Sequence, residues 1–193
     1  NYSAQNCYTT LFVFGCLCID HLEQFVLMLL GDFPDVPLNI VAHSMGNRAV
    51  VRLFGRLSVQ SERPGKLGHV IFAAPDIDAD LFRQSTPKFK HLPKRMSAYV
   101  SRADVAVQAS KILHGYDRVG LAPPVTIADG VETILVEGFD VFEFLCHDYV
   151  ATAGPVLHDL FNLIHHDSSP DNRARIRPVE QEDGTMYWLL PMN

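Results

Sequence analysis

Four short apolar runs recur along the chain, and amphipathic or helix-bearing segments separate them. They are Leu38 to Ala42, His69 to Ala74, Met96 to Ser101 and Val131 to Glu137. The run HVIFAA is almost continuously apolar, as expected for a strand buried on both faces of a sheet. Between the runs the apolar residues change to helical spacing. Ala49, Val50, Leu53, Phe54 and Leu57 share one helical face, and Asp20 to Leu30 carries Leu22, Phe25, Val26, Leu29 and Leu30 on another. Strand-helix alternation of this kind implies parallel strands joined by right-handed crossovers. The expected fold is α/β, a mainly parallel sheet flanked by helices, in one domain over residues 1–193.

Local signals place the helix ends. Asp20 suits an N-cap, Glu23 stands three residues on as in a capping box, and Gly31 fits a C-terminal stop. DADLFRQ reads as a short helix that Asp78 can cap, and Asp104 to Leu113 as another. GPVLHDLFNLIHH has Pro155 in its first turn and His165 and His166 at its C-terminal end, where cations are favoured.

The chain has 193 residues, enough for one core, and 48% are hydrophobic. Sixteen basic and 22 acidic residues give a net charge of -6, which argues against nucleic acid or an anionic membrane as the main partner. The basic cluster Arg173 to Arg177 reads as a solvated face. Cys7, Cys16, Cys18 and Cys146 show no zinc-site spacing and read as reduced thiols in a cytoplasm-like compartment. Leu11 to Ile19 is apolar but too short to span a bilayer, and no basic segment precedes it, so neither stable membrane insertion nor a signal peptide is expected.

Ala42-His43-Ser44-Met45-Gly46 lies where the first of the four apolar runs meets a helical pattern. A nucleophile elbow, G-x-S-x-G in its usual form, needs tiny residues two before and two after the serine because strand and helix nearly touch there. Ala42 and Gly46 meet that need. The Met45 N–H is then a candidate oxyanion donor at a helix N-terminus, where negative charge is favoured. The competing interpretation is a buried structural Ser-Gly turn.

A serine hydroxyl needs a base, and the base an orienting carboxylate; in this architecture the chain order is Ser, then Asp or Glu, then His. Asp104 follows the run ending at Ser101 and fits the acid, with Asp76, Asp78 and Asp80 as competitors. His147 follows the fourth run and precedes the closing helix, which fits the base. His158, His165 and His166 fall on or at the end of that helix and read as surface or capping residues. Arg102, His114 and Tyr116 are candidates to line a pocket.

The segments IVAHSMGNRA, FAAPDIDADLF, YVSRADVAVQASKILHGYDRVG, GVETILVE, HDYV and RIRPV…YW, in this order, resemble the α/β-hydrolases of the bacterial domain of unknown function 900 family. AHSMGNR and HGYDR are the more specific parts, and the resemblance spans residues 20–188, leaving 1–19 as an atypical leading segment. It implies a nucleophile at Ser44, an acid at Asp104, a base at His147 and esterase-like hydrolysis. Cys146 stands where the family commonly has glycine, and Asp148 where it often has serine. The resemblance also implies several strands before the elbow and a His-Gly loop carrying a second oxyanion donor. Only 43 residues precede Ser44, and no His-Gly pair lies among residues 1–19, so the N-terminal strands are expected to be missing. YTTLFVFGCLCI is β-branched and aromatic enough to supply one edge strand in their place.

The leading expectation is a serine hydrolase that cleaves a small-molecule carboxylic ester through an acyl-enzyme and requires no metal or organic cofactor. The alternative is a weak or inactive hydrolase-like domain acting as a binding or association module, and an exposed sheet edge makes self-association a further expectation. A metal site on His165, His166 and Asp167 is disfavoured, because adjacent histidines diverge on a helix.

Overall fold

A computed structural model of the chain describes residues 9–14, 19–60, 65–137 and 154–191. Seven strands form one sheet in the order β1-β2-β3-β4-β5-β7-β6. They are β1 (Thr9–Phe14), β2 (Leu38–His43), β3 (Leu67–Ala73), β4 (Arg95–Ser101), β5 (Val131–Glu137), β6 (Arg177–Glu180) and β7 (Met186–Pro191). All neighbours pair in parallel except β6, which closes an antiparallel hairpin on β7. The helices are α1 (Ile19–Asp32), α2 (Gly46–Leu57), α3 (Ala79–Phe89), α4 (Val105–His114) and α5 (Gly154–His166).

Strand parity assigns the two cores. Leu38, Ile40 and Ala42 of β2, Val70 and Phe72 of β3, and Met96, Ala98 and Val100 of β4 point to one face. There they meet Leu22, Val26 and Leu30 of α1, Val50, Leu53, Phe54 and Leu57 of α2, and Phe82 and Phe89 of α3. Edge-to-face ring pairs join α2 to α3, Phe54 on Phe89, and the sheet to α3, Phe72 on Phe82. The alternate residues Val41, Ile71, Ala73, Tyr99, Ile134 and Val136 face Val156 and Leu163 of α5. The result is a three-layer α/β sandwich, the expected fold class.

β1 lies beside β2 at the sheet edge, paired from Thr9↔Leu38 to Phe14↔His43, in the edge position expected of that segment. At the opposite edge, β6 and β7 extend the sheet beyond the four apolar runs. Their sequence gives little sign of it: β6 is four residues long, contains Pro178 and is mostly exposed.

Some local expectations change. The first helix begins at Ile19 and runs to Asp32, so Asp20 sits in the first turn and Gly31 does not end the helix. Asp20 and Glu23 instead pair with Arg56 on α2. Phe25 is largely outside the core. Most consequential is Arg173, expected on a solvated face. It is 2% exposed and bonds the Asp159 carboxylate at 2.9 Å and Glu132 at 2.9 Å. Tyr99 donates to the same Asp159 oxygen at 2.6 Å, and Ser97 and Arg95 bond Glu132 at 3.0 and 2.6 Å. A buried arginine is held by such partners because an unpaired one would be prohibitively costly. Arg175 and Arg177 are exposed, as expected.

Candidate active site

Functional side chains in parallel sheets gather beyond the carboxyl ends of the strands, where the loops diverge. Ser44 lies there, immediately after β2 and two residues before α2. Its φ is +50°, a left-handed conformation uncommon for a residue with a side chain. The backbone around it is over-determined. The Ser44 N–H donates to the Ala73 carbonyl at 3.1 Å. The Ser44 carbonyl accepts from the Asn47 N–H at 3.2 Å, the Asn47 amide Nδ2 at 2.8 Å and the Asp76 N–H at 3.3 Å. Asn47 Nδ2 also reaches the Ala73 carbonyl at 3.1 Å. β3, α2 and the loop after β3 thus fix the two peptides that flank Ser44, which is what a sparsely populated backbone state requires to persist.

Met45 is the N-cap of α2. The N–H groups of Asn47 and Arg48 turn back onto the Ser44 and Met45 carbonyls. At the head of a helix the first N–H groups have no intrahelical acceptor, and the Met45 N–H is among them. Ser44 is half-buried and Met45 half-exposed, so the turn meets solvent.

The carboxylates of the β3 loop are occupied. Asp76 is buried, and its carboxylate binds Arg48 Nη2 at 2.7 Å, Ser110 Oγ at 2.7 Å and Arg118 Nε at 3.4 Å. Asp78 caps α3, accepting from the Asp80 and Leu81 N–H groups at 3.0 and 2.9 Å. Asp80 is exposed and pairs with Arg83 at 2.9 Å. Asp104 follows β4 by three residues and is fully buried. Its Oδ1 caps α4 by accepting from the Val107 N–H at 2.8 Å. Two strand spacings, roughly 10 Å, separate the β2 and β4 strand ends. The loop that follows α4 packs tightly against the loop after β3. A Cβ on Gly120 would meet the Ala74 carbonyl carbon at 2.8 Å and Pro75 N at 2.9 Å, so only glycine fits there.

Ser44, Met45 and Asp104 therefore share the carboxyl end of the parallel strands. His147, Cys146 and Asp148 lie outside the described residues, as do Cys7, Cys16 and Cys18. His158, His165 and His166 are exposed on α5, in agreement with a surface role. Tyr116 lines a small polar pocket with Asp78, Asp80 and Asp117, of about 250 Å³. Among the described residues no cluster of His, Cys, Asp and Glu is arranged to hold a metal ion. None of their helices is long and apolar enough to cross a membrane.

The sequence of a family described as alpha/beta hydrolase of unknown function (DUF900) matches residues 17–163. The chain belongs to this family. The match takes in the elbow, the β3 loop, Asp104 and the segment containing His147. No curated protein and no solved structure matches the chain. Family membership indicates a hydrolase. It also gives physical sense to the two most specific motifs: Arg48 of AHSMGNR and Arg118 of HGYDR converge on Asp76 and lock the loop whose N–H holds the Ser44 carbonyl. Asn47, Arg48, Ser110 and Arg118 were not expected at the site. For Asn47, Arg48 and Arg118 the only sequence signal was membership of those motifs, and Ser110 lies outside both.

Proposed function

We propose that the chain is a serine hydrolase acting on a carboxylic ester through an acyl-enzyme. The observation that carries this is Ser44 at φ +50° between a buried parallel strand and the first turn of a helix. A serine without a chemical role has little reason to occupy a backbone state costing about 1–3 kcal/mol. Asp104 is favoured as the acid by its place three residues after β4, at the same end of the parallel strands as Ser44.

In this reading Ser44 Oγ attacks the acyl carbon while His147 takes its proton. Asp104 orients the imidazole and stabilises its charged form. The Met45 N–H donates to the developing oxyanion, a contribution of roughly 10²–10³-fold in rate for one donor. The tetrahedral intermediate collapses and His147 protonates the departing alcohol. Water, deprotonated by the same histidine, then attacks the acyl-enzyme and releases the carboxylic acid and free Ser44. None of these steps calls for a metal or an organic cofactor.

Labelling by a fluorophosphonate probe tests this, with mass spectrometry to locate the adduct. The expected result is a Ser44 adduct that disappears in Ser44→Ala and is strongly slowed in His147→Ala and Asp104→Ala. A folded chain that stays unlabelled, or labels equally well in His147→Ala, would overturn the assignment.

A further inference from the structure

Gly55 lies inside α2, two residues before its end. A Cβ there would meet no atom of the described residues within 4 Å, and its φ is not left-handed. It is neither a C-cap nor a close-packing glycine. Such a residue costs a helix up to about 1 kcal/mol relative to alanine, and nothing among the described residues asks for it. The space it leaves open belongs to a groove of about 380 Å³ between α2 and α3. That volume falls within the range of small-molecule sites, roughly 300–1,000 Å³.

The lining has two parts. Val51, Ile77 and Phe89 form a buried apolar floor, and Leu81, more than half exposed, continues it to the rim. Arg52 and Lys88 are exposed on opposite helices and make no ion pair or hydrogen bond among the described residues. Among the described residues no acidic side chain lines the groove. Arg48, at the elbow end, is already engaged by Asp76. Two uncommitted cations over an apolar trough complement a ligand with one anionic end and an unbranched apolar tail.

We propose that the α2–α3 groove is a binding site for a free fatty carboxylate, its head between Arg52 and Lys88 and its tail along Val51, Leu81 and Phe89. This site is separate from Ser44 and does not depend on the hydrolase mechanism. Octanoate is the probe, with octanol as its uncharged counterpart, in calorimetric titrations of the full chain. Saturable one-site binding of octanoate is expected, with octanol weaker by about tenfold or more, the worth of one well-made charge contact. Arg52→Glu with Lys88→Glu should weaken octanoate by a similar factor. Gly55→Trp should abolish binding by filling the trough. Gly55→Leu repeats that test with a smaller side chain, and the charge reversals stand at exposed positions that the fold does not need. Octanoate that does not bind saturably, or binds with unchanged affinity in the charge-reversed and Gly55 variants, would overturn the proposal. So would equal binding of octanol.

Discussion

Arg48 and Asp76 are joined twice, Nε to the Asp76 carbonyl at 2.6 Å and Nη2 to its carboxylate at 2.7 Å. The pair clamps the first turn of α2 to the loop after β3. That loop returns the Asp76 N–H to the carbonyl of Ser44. Arg118 and Ser110 complete the coordination of the same carboxylate, so one buried aspartate ties together α2, the β3 loop, α4 and the loop that follows it.

Removing that carboxylate is expected to be severe. Asp76→Ala leaves Arg118, only 5% exposed, beside an empty space. Breaking a buried pair in this way costs about 3–5 kcal/mol. Arg48→Met should cost less, about 1–2 kcal/mol, because Arg48 is partly solvated and Asp76 keeps two other partners. Urea unfolding of both variants checks the order. Equal and small losses would mean the clamp does not stabilise the fold.

The parallel sheet and its helices were legible because period-2 and period-3.6 patterns are local. β2, β3, β4 and β5 each announce themselves as apolar runs, and Ser44 and Asp104 follow from their places at strand ends. The Asp76 hub was not legible, because its partners lie 28, 34 and 42 residues away and only the fold brings them together. The β6–β7 hairpin was hidden by exposure: a short, charged, proline-bearing edge strand resembles a loop in sequence. Arg173 misled for a related reason. RARIR looks like one basic face, yet a turn closed by the Ile176 N–H on the Arg173 carbonyl sends Arg173 and Ile176 inward and leaves Arg175 and Arg177 outside.

That contrast can be measured within one pentapeptide. Arg173→Met strands the carboxylate of Asp159, 1% exposed, whose pKa burial already raises, and it also removes a partner of Glu132. The expected loss is about 3–5 kcal/mol. Arg175→Met, on the surface, should stay within about 0.5 kcal/mol of the parent. Paired denaturation curves decide it. Two equally mild variants would return Arg173 to the solvated face.

His69 supplies a pH dependence. It is 3% exposed, and burial is the main cause that lowers its pKa from 6.5 to about 4. Asp167, 3.4 Å away, acts in the opposite direction, while Lys94, Arg95 and Arg173 add to the lowering. Between those two values the unfolded chain holds the proton and the folded chain does not. Stability from this group is therefore full above about pH 6.5 and falls as pH drops toward 4. The total at stake is on the order of 3 kcal/mol. His69→Gln should flatten the decline in urea midpoint between neutral pH and mild acid. An unchanged slope would assign the acid sensitivity to other groups.

The conformation of Ser44 separates stability from reactivity. At φ +50° glycine is at ease and alanine is not. Both Ser44→Gly and Ser44→Ala remove the hydroxyl, so both should lose fluorophosphonate labelling completely. They should differ in stability. Ser44→Gly relieves the left-handed strain and is expected to exceed Ser44→Ala by about 1 kcal/mol, despite the flexibility glycine adds to the unfolded chain. The hydrogen bonds to the Ser44 backbone survive both changes, since none of them uses the side chain. The comparison thus isolates the backbone term. If the two variants unfold together, the surroundings impose no strain on this turn, and the main physical argument for a nucleophile at Ser44 fails. If glycine is the more stable, the protein holds its serine in a conformation that folding alone would not select.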